Sequence, residues 1–439
     1  MPMKAPSLPL FRTPERHPGK LRLCLKVLPR TLLACMLVVV MWHPLQAVAD
    51  DPNPSMFSFN GFGTAGVVHS SEDQADFTSS VFKPNGAGYS HNWSADVDSR
   101  IGAQATANIT AQLSAVVQVI SEQGYDNTYR PSVEWANIKY QFTSDFGVRL
   151  GRIELPTYLV SDFRKVGYAI PWVRPPVEVY GVAPVTNNNG MDLSYRMHFG
   201  SVTNTLSGAY GRNNKLEFPD DVGIDTRNLW GVFDSAEYGA VLLHLSYLQT
   251  KATEMPAIPL FGVFRDLGPQ GVALADKYEL VDRTVSIVTV GASYDPGDWF
   301  AMSEWTRISS HSFLGVNTAW YATVGYRLGK LTPYLTSSQI TAPAVSNSGL
   351  AAAGFPPELA GTVTALNAGL DAVLDSTHHV QRSLSIGGRW DFVKNVDLKV
   401  QYDHMRIGAD STGTLINIQP GFQPGGTVNV FSTTVDFVY

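Results

Sequence analysis

The chain has 439 residues, of which 44% are hydrophobic, 11% are aromatic and 16% are charged. The charged fraction lies below the roughly 25% of an ordinary soluble domain, and a mean hydropathy of −0.03 excludes a long disordered chain. A helical membrane protein needs several runs of about 20 apolar residues, whereas the one long apolar run here spans 32–42. A large soluble β protein and a transmembrane β-barrel remain, because alternating strands average to a hydropathy near zero.

The amino terminus has the order of segments of a secretory signal peptide. Basic residues between Arg12 and Arg30 precede the apolar run, and small residues follow at 47–49. The run is too short to cross about 30 Å of hydrocarbon, which argues against a membrane anchor. We therefore expect residues 1–49 to form a signal peptide that is cleaved after Ala49.

Cleavage would change the charge balance of the chain. It would remove seven basic residues and one acidic residue, which leaves 25 basic and 37 acidic residues and a net charge of −12. Both cysteines, Cys24 and Cys35, would be removed, so the mature chain could form no disulfide. An acidic mature chain argues against nucleic acid as a partner, because binding phosphates requires a basic surface.

The mature sequence alternates apolar and polar residues over about ten positions, the pattern of a strand with one apolar and one polar face. From Met191 to Phe199 the odd positions are apolar and the even positions are polar, and 320–328 and 396–403 repeat this pattern. Strands of soluble sheets average five or six residues, whereas membrane barrels use about nine to eleven. Aromatic residues that we expect at strand ends, as interfacial girdles, are Phe199, Tyr326, Trp390 and Tyr402.

Connections between these strands alternate in length. Seven short turns, such as 200–201 and 295–298, contain turn-forming residues, and eight long loops, such as 154–190 and 211–227, lie between them. Seven turns and eight loops join sixteen strands. We therefore predict an all-β fold for residues 50–439: a single transmembrane antiparallel β-barrel domain of about sixteen strands, with short periplasmic turns and long external loops. A barrel of this size encloses a water-filled lumen.

Apolar residues occupy one face of the last strand, and the chain ends on an aromatic residue. These residues are Phe431, Val435, Phe437 and Tyr439. This strand resembles the assembly signal of Gram-negative outer-membrane barrels, although the family more often ends in Phe. Together with the leader and the strand count, it makes the mature chain similar to the trimeric porins throughout its length.

The resemblance implies an outer-membrane location in a Gram-negative bacterium and passive diffusion of small hydrophilic solutes and ions. It implies contact with outer-membrane lipid and assembly as a homotrimer. It also implies recognition by the outer-membrane assembly machinery through Phe437 and Tyr439.

The resemblance further implies that the third long loop, 154–190, folds into the lumen and sets the constriction. This segment is apolar and rich in proline for an exposed loop, which indicates burial against the barrel wall or a neighbouring subunit. Its basic and acidic residues are equal in number, so we expect a transverse electric field across the constriction rather than a selectivity filter with charges of one sign. The charged residues expected at the constriction are Glu154, Asp162, Arg164, Lys165, Arg174 and Glu178.

Strand phase directs further charged side chains into the lumen. The basic ones are Lys139, Arg149, Arg196, Arg327, Arg389 and Lys399, and the acidic ones are Asp192, Asp397, Asp403 and Asp436. The small basic majority leads to the hypothesis of a basic wall near the constriction, with the surplus acidic residues in the outer loops. The alternative is that these residues are solvated pairs without a role in selectivity.

Three other functions remain open. A substrate-specific channel for anions or sugars is one, since an aromatic track for sugars would comprise Trp135, Tyr158, Trp172 and Tyr180. A surface adhesion or structural barrel without transport is the second, because the loop at 338–381 is long enough to contain a helix near Thr362–Leu374. A soluble β protein is the third.

We do not expect an enzyme, a cofactor or a metal site. The clusters that resemble catalytic groups are His378-His379 and Asp403-His404, and the mature chain contains neither Gly-x-Ser-x-Gly nor His-Glu-x-x-His. Adjacent residues on a strand point to opposite faces and could not act on one ligand together.

Overall fold

The computed structural model describes residues 56–439, except 184, 218–222, 256–258, 346 and 348. The expected signal peptide and its cleavage site at Ala49 lie outside the described residues. Both therefore stay predictions.

Sixteen long antiparallel strands form one closed barrel, as the sequence predicted. Each strand pairs with its neighbours in the chain, and the first pairs with the last, from Phe62 opposite Val438 to Ser70 opposite Val430. The strands are β1 (Phe57–Ser70), β2 (Arg100–Asn108), β3 (Leu113–Glu122), β4 (Ser132–Gln141), β5 (Phe146–Glu154), β6 (Asn187–Phe199), β7 (Val202–Glu217), β8 (Gly223–Tyr238), β9 (Val241–Met255), β10 (Arg283–Tyr294), β11 (Trp299–Ser310), β12 (Val316–Tyr326), β13 (Leu331–Thr341), β14 (Val380–Val393), β15 (Val396–Ile407) and β16 (Thr427–Val438).

Short turns lie at one end of the barrel, the turn end, and longer connections lie at the other, the loop end. The prediction of a long loop at 211–227 is wrong, because β7 continues to Glu217 and β8 begins at Gly223. The connection between β11 and β12 is also short and covers 311–315. Strand pairing continues through these polar sequences because backbone hydrogen bonds do not require apolar side chains.

Apolar side chains cover the outside of the barrel at every second position, and aromatic residues form two bands there. Near the turn end are Phe142, Phe199, Tyr238, Tyr294, Trp299, Tyr326 and Trp390. Toward the loop end are Tyr210, Trp230, Trp305, Trp320, Tyr402 and Phe431. The bands lie about six to eight residues apart along the strands, or about 20–25 Å of strand at roughly 3.3 Å per residue.

Tyr402 does not lie at a strand end as expected. It pairs with Ile386 and Phe431 in the middle of β15, because that strand continues to Ile407. Tyr402 therefore belongs to the aromatic band nearer the loop end.

Helices pack together at the loop end. They are α2 (Pro259–Asp266), α3 (Pro269–Tyr278) and α4 (Pro357–Asp375), and a single-turn helix inside the barrel, α1 (Val177–Tyr180), precedes them in the chain. Phe261, Phe264 and Leu370 form a core with Phe313 from the loop after β11. Helix α4 contains the helix expected near Thr362–Leu374 and begins earlier, with proline in its first turn. No helix in the described ranges has the length and apolar character needed to cross a bilayer.

The seam between β1 and β16 depends on two glycines. A Cβ atom at Gly61 would overlap the ring of Tyr439, and one at Gly63 would overlap the ring of Phe437. The Tyr439 amide also donates to the Gly61 carbonyl at 3.0 Å. Aromatic rings over glycines on a neighbouring strand pin its register, so the terminal aromatic residues complete the barrel.

Replacing Gly63 with valine tests this packing. We expect Gly63→Val to lower the free energy of unfolding by about 1–3 kcal/mol, because the added side chain displaces the Phe437 ring. The measurement is urea unfolding in lipid vesicles, followed by heat-modifiable migration on gels. Gly388→Val is the control, since a Cβ atom at Gly388 in β14 meets open space. Equal free energies of unfolding for the two variants would refute the role of Gly63 in packing the Phe437 ring.

Candidate pore constriction

The connection between β5 and β6, residues 155–186, lies inside the barrel, and we call it the inner loop. Its apolar side chains pack on the inner wall, where Trp172 contacts Tyr321 at a ring separation of 5.6 Å. The Trp172 indole donates to the hydroxyls of Thr323 and Thr336 at 3.0 and 3.1 Å. Burial against the wall accounts for the apolar, proline-rich sequence of this loop.

Arg174 holds the inner loop to strands near the barrel seam. Its side chain is 3% exposed and donates to Asp98 at 2.8 and 2.6 Å and to Ser432 at 2.7 Å. Burial lowers the pKa of Arg174, but Asp98 and Asp403 raise it above its ordinary value, so the guanidinium keeps its charge. Arg174 was expected among the constriction charges. Its hydrogen bonds are directed to the wall, and its side chain also lines a cavity beside the inner loop that is described below.

Glu178 in α1 is a second anchor of the inner loop. Its carboxylate is 1% exposed, and it accepts hydrogen bonds from Ser338 at 2.9 Å, from Gln381 at 2.7 Å and from Ser383. Three side-chain donors therefore satisfy the oxygen atoms of this buried carboxyl group. It therefore joins the inner loop to β13 and β14 and leaves little charge for the lumen.

Two basic residues of the barrel wall also hold the inner loop. Lys399 is fully buried and donates to the Gly167 carbonyl at 2.5 Å, with Asp436 at 3.1 Å. Arg389 donates to the Tyr168 carbonyl at 2.6 Å and lies 3.2 Å from Asp397. Lys399 and Arg389, which strand phase places on the inner face, both bind backbone carbonyls of the inner loop.

The aromatic residues considered as a sugar track do not form one. Tyr158, Trp172 and Tyr180 are all buried in the core between the inner loop and the wall. The Tyr180 hydroxyl donates to Glu304 at 2.6 Å. Trp135 lies half-buried on β4. The rings of Tyr158 and Trp172 therefore pack against protein, and the 7% exposed Tyr180 lies at the edge of a cavity that is described below.

The other loop charges have different surroundings. Asp162 is exposed on a single 3-10 turn, and Arg164 is half-buried. Lys165 pairs with Glu122 at 2.9 Å and Glu134 at 3.0 Å. Burial alone lowers the pKa of Lys165, but the two carboxylates raise it above its ordinary value. Lys165 is therefore a charged bridge from the inner loop to β3 and β4.

The remaining predicted wall residues lie apart from the inner loop contacts. Arg149 pairs with Asp192 on the next strand, and Lys139 lies opposite Arg149. Arg196 lies near the turn end. Arg327 lies beyond the end of β12, not within the expected strand, and donates to Asp295 at 2.7 Å. The Arg327 side chain is therefore held by hydrogen bonds to the turn at 295–298.

A cavity lies on each side of the inner loop. The loop-end cavity, of about 420 Å³, lies between the inner loop and β2–β6 and is lined by Lys83, Arg100, Glu122, Glu134, Arg152 and Arg164 among others. The turn-end cavity, of about 390 Å³, is lined by Phe163, Pro171, Arg327, Arg389 and Asp391 among others. The inner loop therefore narrows the lumen between two cavities that include charged side chains in their lining.

Sequence reasoning missed several charges of the loop-end cavity. Arg100 could have been found by strand phase, because the neighbouring Ile101 is exposed on the outside. Arg152 could not, since Gly151 has a φ of +127° that interrupts strict alternation after Arg149. Lys83 lies on the first long loop, whose path into the barrel no periodicity indicates.

Removing the Arg174 anchor should destabilise the barrel. Arg174→Gln leaves the buried Asp98 carboxylate without its cation, and breaking a buried pair typically costs about 3–5 kcal/mol. We expect the free energy of unfolding in lipid vesicles to fall by at least about 2 kcal/mol.

Arg406→Gln is the matched control, because Arg406 is exposed on the outer face opposite Arg382. Unchanged stability of Arg174→Gln would contradict the anchoring role.

Comparisons with known proteins agree with this geometry at the level of fold. No protein-family model matches the chain, and no curated protein matches it. Among solved structures, the anion-selective porin from Comamonas acidovorans is 12% identical, covers 87% of this chain and 99% of its own, and has a TM-score of 0.51.

Two further solved structures are similar. The Salmonella typhi OmpF complex with daunomycin is 12% identical over 87% of this chain and 97% of its own, with a TM-score of 0.52. The outer membrane channel DcaP of Acinetobacter baumannii has the same identity and coverages and a TM-score of 0.50. The chain therefore has the β-barrel fold of Gram-negative outer-membrane porins.

Proposed function

We propose that this chain is an outer-membrane porin through which small hydrophilic solutes and ions diffuse passively. The observation that carries the proposal is a closed barrel with an apolar outer band and a charged interior, narrowed by one loop between two cavities. The similar solved structures bear the names of porins and an outer-membrane channel, which supports the same function. The expected location is the outer membrane of a Gram-negative bacterium after removal of residues 1–49.

The mechanism requires no conformational cycle. Water fills the lumen, the inner loop limits the size of what passes, and fixed charges bias which ions enter. Lys165 pairs directly with Glu122 and Glu134, so these three residues form one largely neutralised cluster at the loop-end cavity. Arg164 and Asp162 add charges that are not used as anchors.

We further propose that the barrel assembles as a homotrimer in contact with outer-membrane lipid. The outer face of β2 carries the small side chains of Ala103, Ala105 and Ala107, which would allow another barrel to approach closely. The assembly machinery would read Phe437 and Tyr439, whose rings pack over glycines of β1. These proposals rest on the resemblance of the terminal strand.

We also propose that the chain is not an enzyme and needs no cofactor. His378 and His379 are both buried, and the Nδ1 atom of His379 lies 2.6 Å from the Gly413 carbonyl. His404 lies 2.9 Å from the amide oxygen of Asn429. These contacts support structural roles. Within the described ranges, no three or more His, Cys, Asp or Glu side chains are placed to hold a metal ion.

Conductance in a planar bilayer tests the proposed function. Purified protein lacking residues 1–49 should insert in discrete current steps, whereas a heat-denatured sample should give none. A folded, heat-modifiable barrel without conductance would contradict the porin proposal. That result would favour an adhesion barrel that presents helices α2, α3 and α4 at the cell surface.

Liposome swelling tests passive diffusion separately. We expect the rate of sugar entry to rise linearly with concentration and to fall with sugar size, because three of the four sugar-track aromatics pack in the core between the inner loop and the wall. Protein-free liposomes provide the control. Saturable entry would instead indicate a substrate-specific channel.

A further inference from the structure

The loop-end cavity carries an excess of positive charge. Seven basic side chains line it. One of them, Arg174, anchors the inner loop near the seam, and the other six are Lys83, Arg100, Arg130, Arg152, Arg164 and Lys165. Three acidic side chains line the same space. This balance is opposite to that of residues 50–439, whose net charge is −12. The positive field is therefore local to the lumen.

The acidic residues of the cavity already have partners. Glu122 pairs with Lys165 at 2.9 Å and lies 3.9 Å from Arg100. Glu134 pairs with Lys165 at 3.0 Å. Asp126 accepts hydrogen bonds from the hydroxyl and the amide two residues further along the chain. Little negative charge is left to neutralise the other basic side chains.

Arg152 and Arg164 are half-buried guanidinium groups of this cavity. Neither forms an ion pair with a carboxylate among the described residues. The Nε atom of Arg152 is buried and has no hydrogen-bond partner in the described part of the chain. An unsatisfied buried donor costs about 1–3 kcal/mol, more when charged, so a bound acceptor would stabilise this site.

Nearby amides extend the polar lining of the cavity. Asn187 and Asn213 are 5% and 3% exposed, and each has a side-chain oxygen without a hydrogen-bond donor among the described residues. Both residues line the cavity together with Arg152. The site thus offers cationic donors for an anion beside neutral acceptors for hydroxyl groups or water.

We propose that the loop-end cavity binds small oxyanions, carboxylates or phosphates, through the guanidinium groups of Arg152 and Arg164. The planar fork of arginine fits two oxygen atoms of such a group, and about 420 Å³ is within the range of small-molecule sites. The inference rests on the proposed function, since an anion bound in the lumen becomes a transported solute only if the barrel conducts. It assigns the pore a preference for anions.

Reversal potentials in a KCl gradient across a planar bilayer test the preference. The full mature protein should favour chloride over potassium by at least about twofold, and Arg152→Gln/Arg164→Gln should lower that ratio toward one. Arg406→Gln is the control, because it removes one positive charge from the outer face and none from the cavity. Potassium preference of the wild-type pore would overturn the inference and leave the porin proposal intact.

Block of the chloride current tests binding. Succinate and inorganic phosphate, added separately, should each reduce the current in a saturable way, at concentrations at least about tenfold higher in the double variant. Block by succinate alone would identify a carboxylate site, and block by phosphate alone a phosphate site. Absence of block by both would overturn the proposal.

A binding measurement that needs no current separates the two proposals. Succinate or phosphate should raise the thermal unfolding temperature of detergent-solubilised wild-type protein and of Arg406→Gln, but not of the double variant. If this shift occurs while the protein does not conduct, the anion site stands and the porin proposal fails. If the shift is absent in a protein that does not conduct, both fail.

Discussion

Closure of the sheet between β1 and β16 is the constraint on which the rest of the structure depends. In hydrocarbon an open sheet edge would leave backbone donors and acceptors unpaired, at several kcal/mol each. Gly61 and Gly63 allow the rings of Phe437 and Tyr439 to lie across this seam. A closed wall then presents an inner surface of fixed shape, on which the inner loop finds its partners.

Apolar contacts and charged contacts hold the inner loop in different ways. Trp172 and its neighbours bury apolar surface against β12 and β13, while Arg174 and Glu178 make hydrogen bonds that fix direction and register. Charged side chains used in this way are removed from the lumen. The field that a solute meets therefore comes from fewer residues than the loop composition indicates.

Periodicity in the sequence predicted the barrel because alternation of Leu193 and Asp192, or of Val400 and Lys399, reports which face of a strand meets lipid. The same alternation correctly directed Arg389 and Lys399 inward. It could not separate Arg174 from Arg164, because pairing with Asp98 depends on contacts across the barrel. It also could not place Arg152, since the break at Gly151 is a backbone property.

The contacts of the inner loop join residues that are far apart in the chain. Trp172 meets Thr336 across 164 positions, and Arg174 meets Ser432 across 258. Contacts of such sequence separation form late, because the intervening chain must be ordered first. The loop is synthesised early, but the hydrogen bond from Arg174 to Ser432 can form only when the last strand has joined the barrel. The complete attachment of the inner loop is therefore a product of completed assembly.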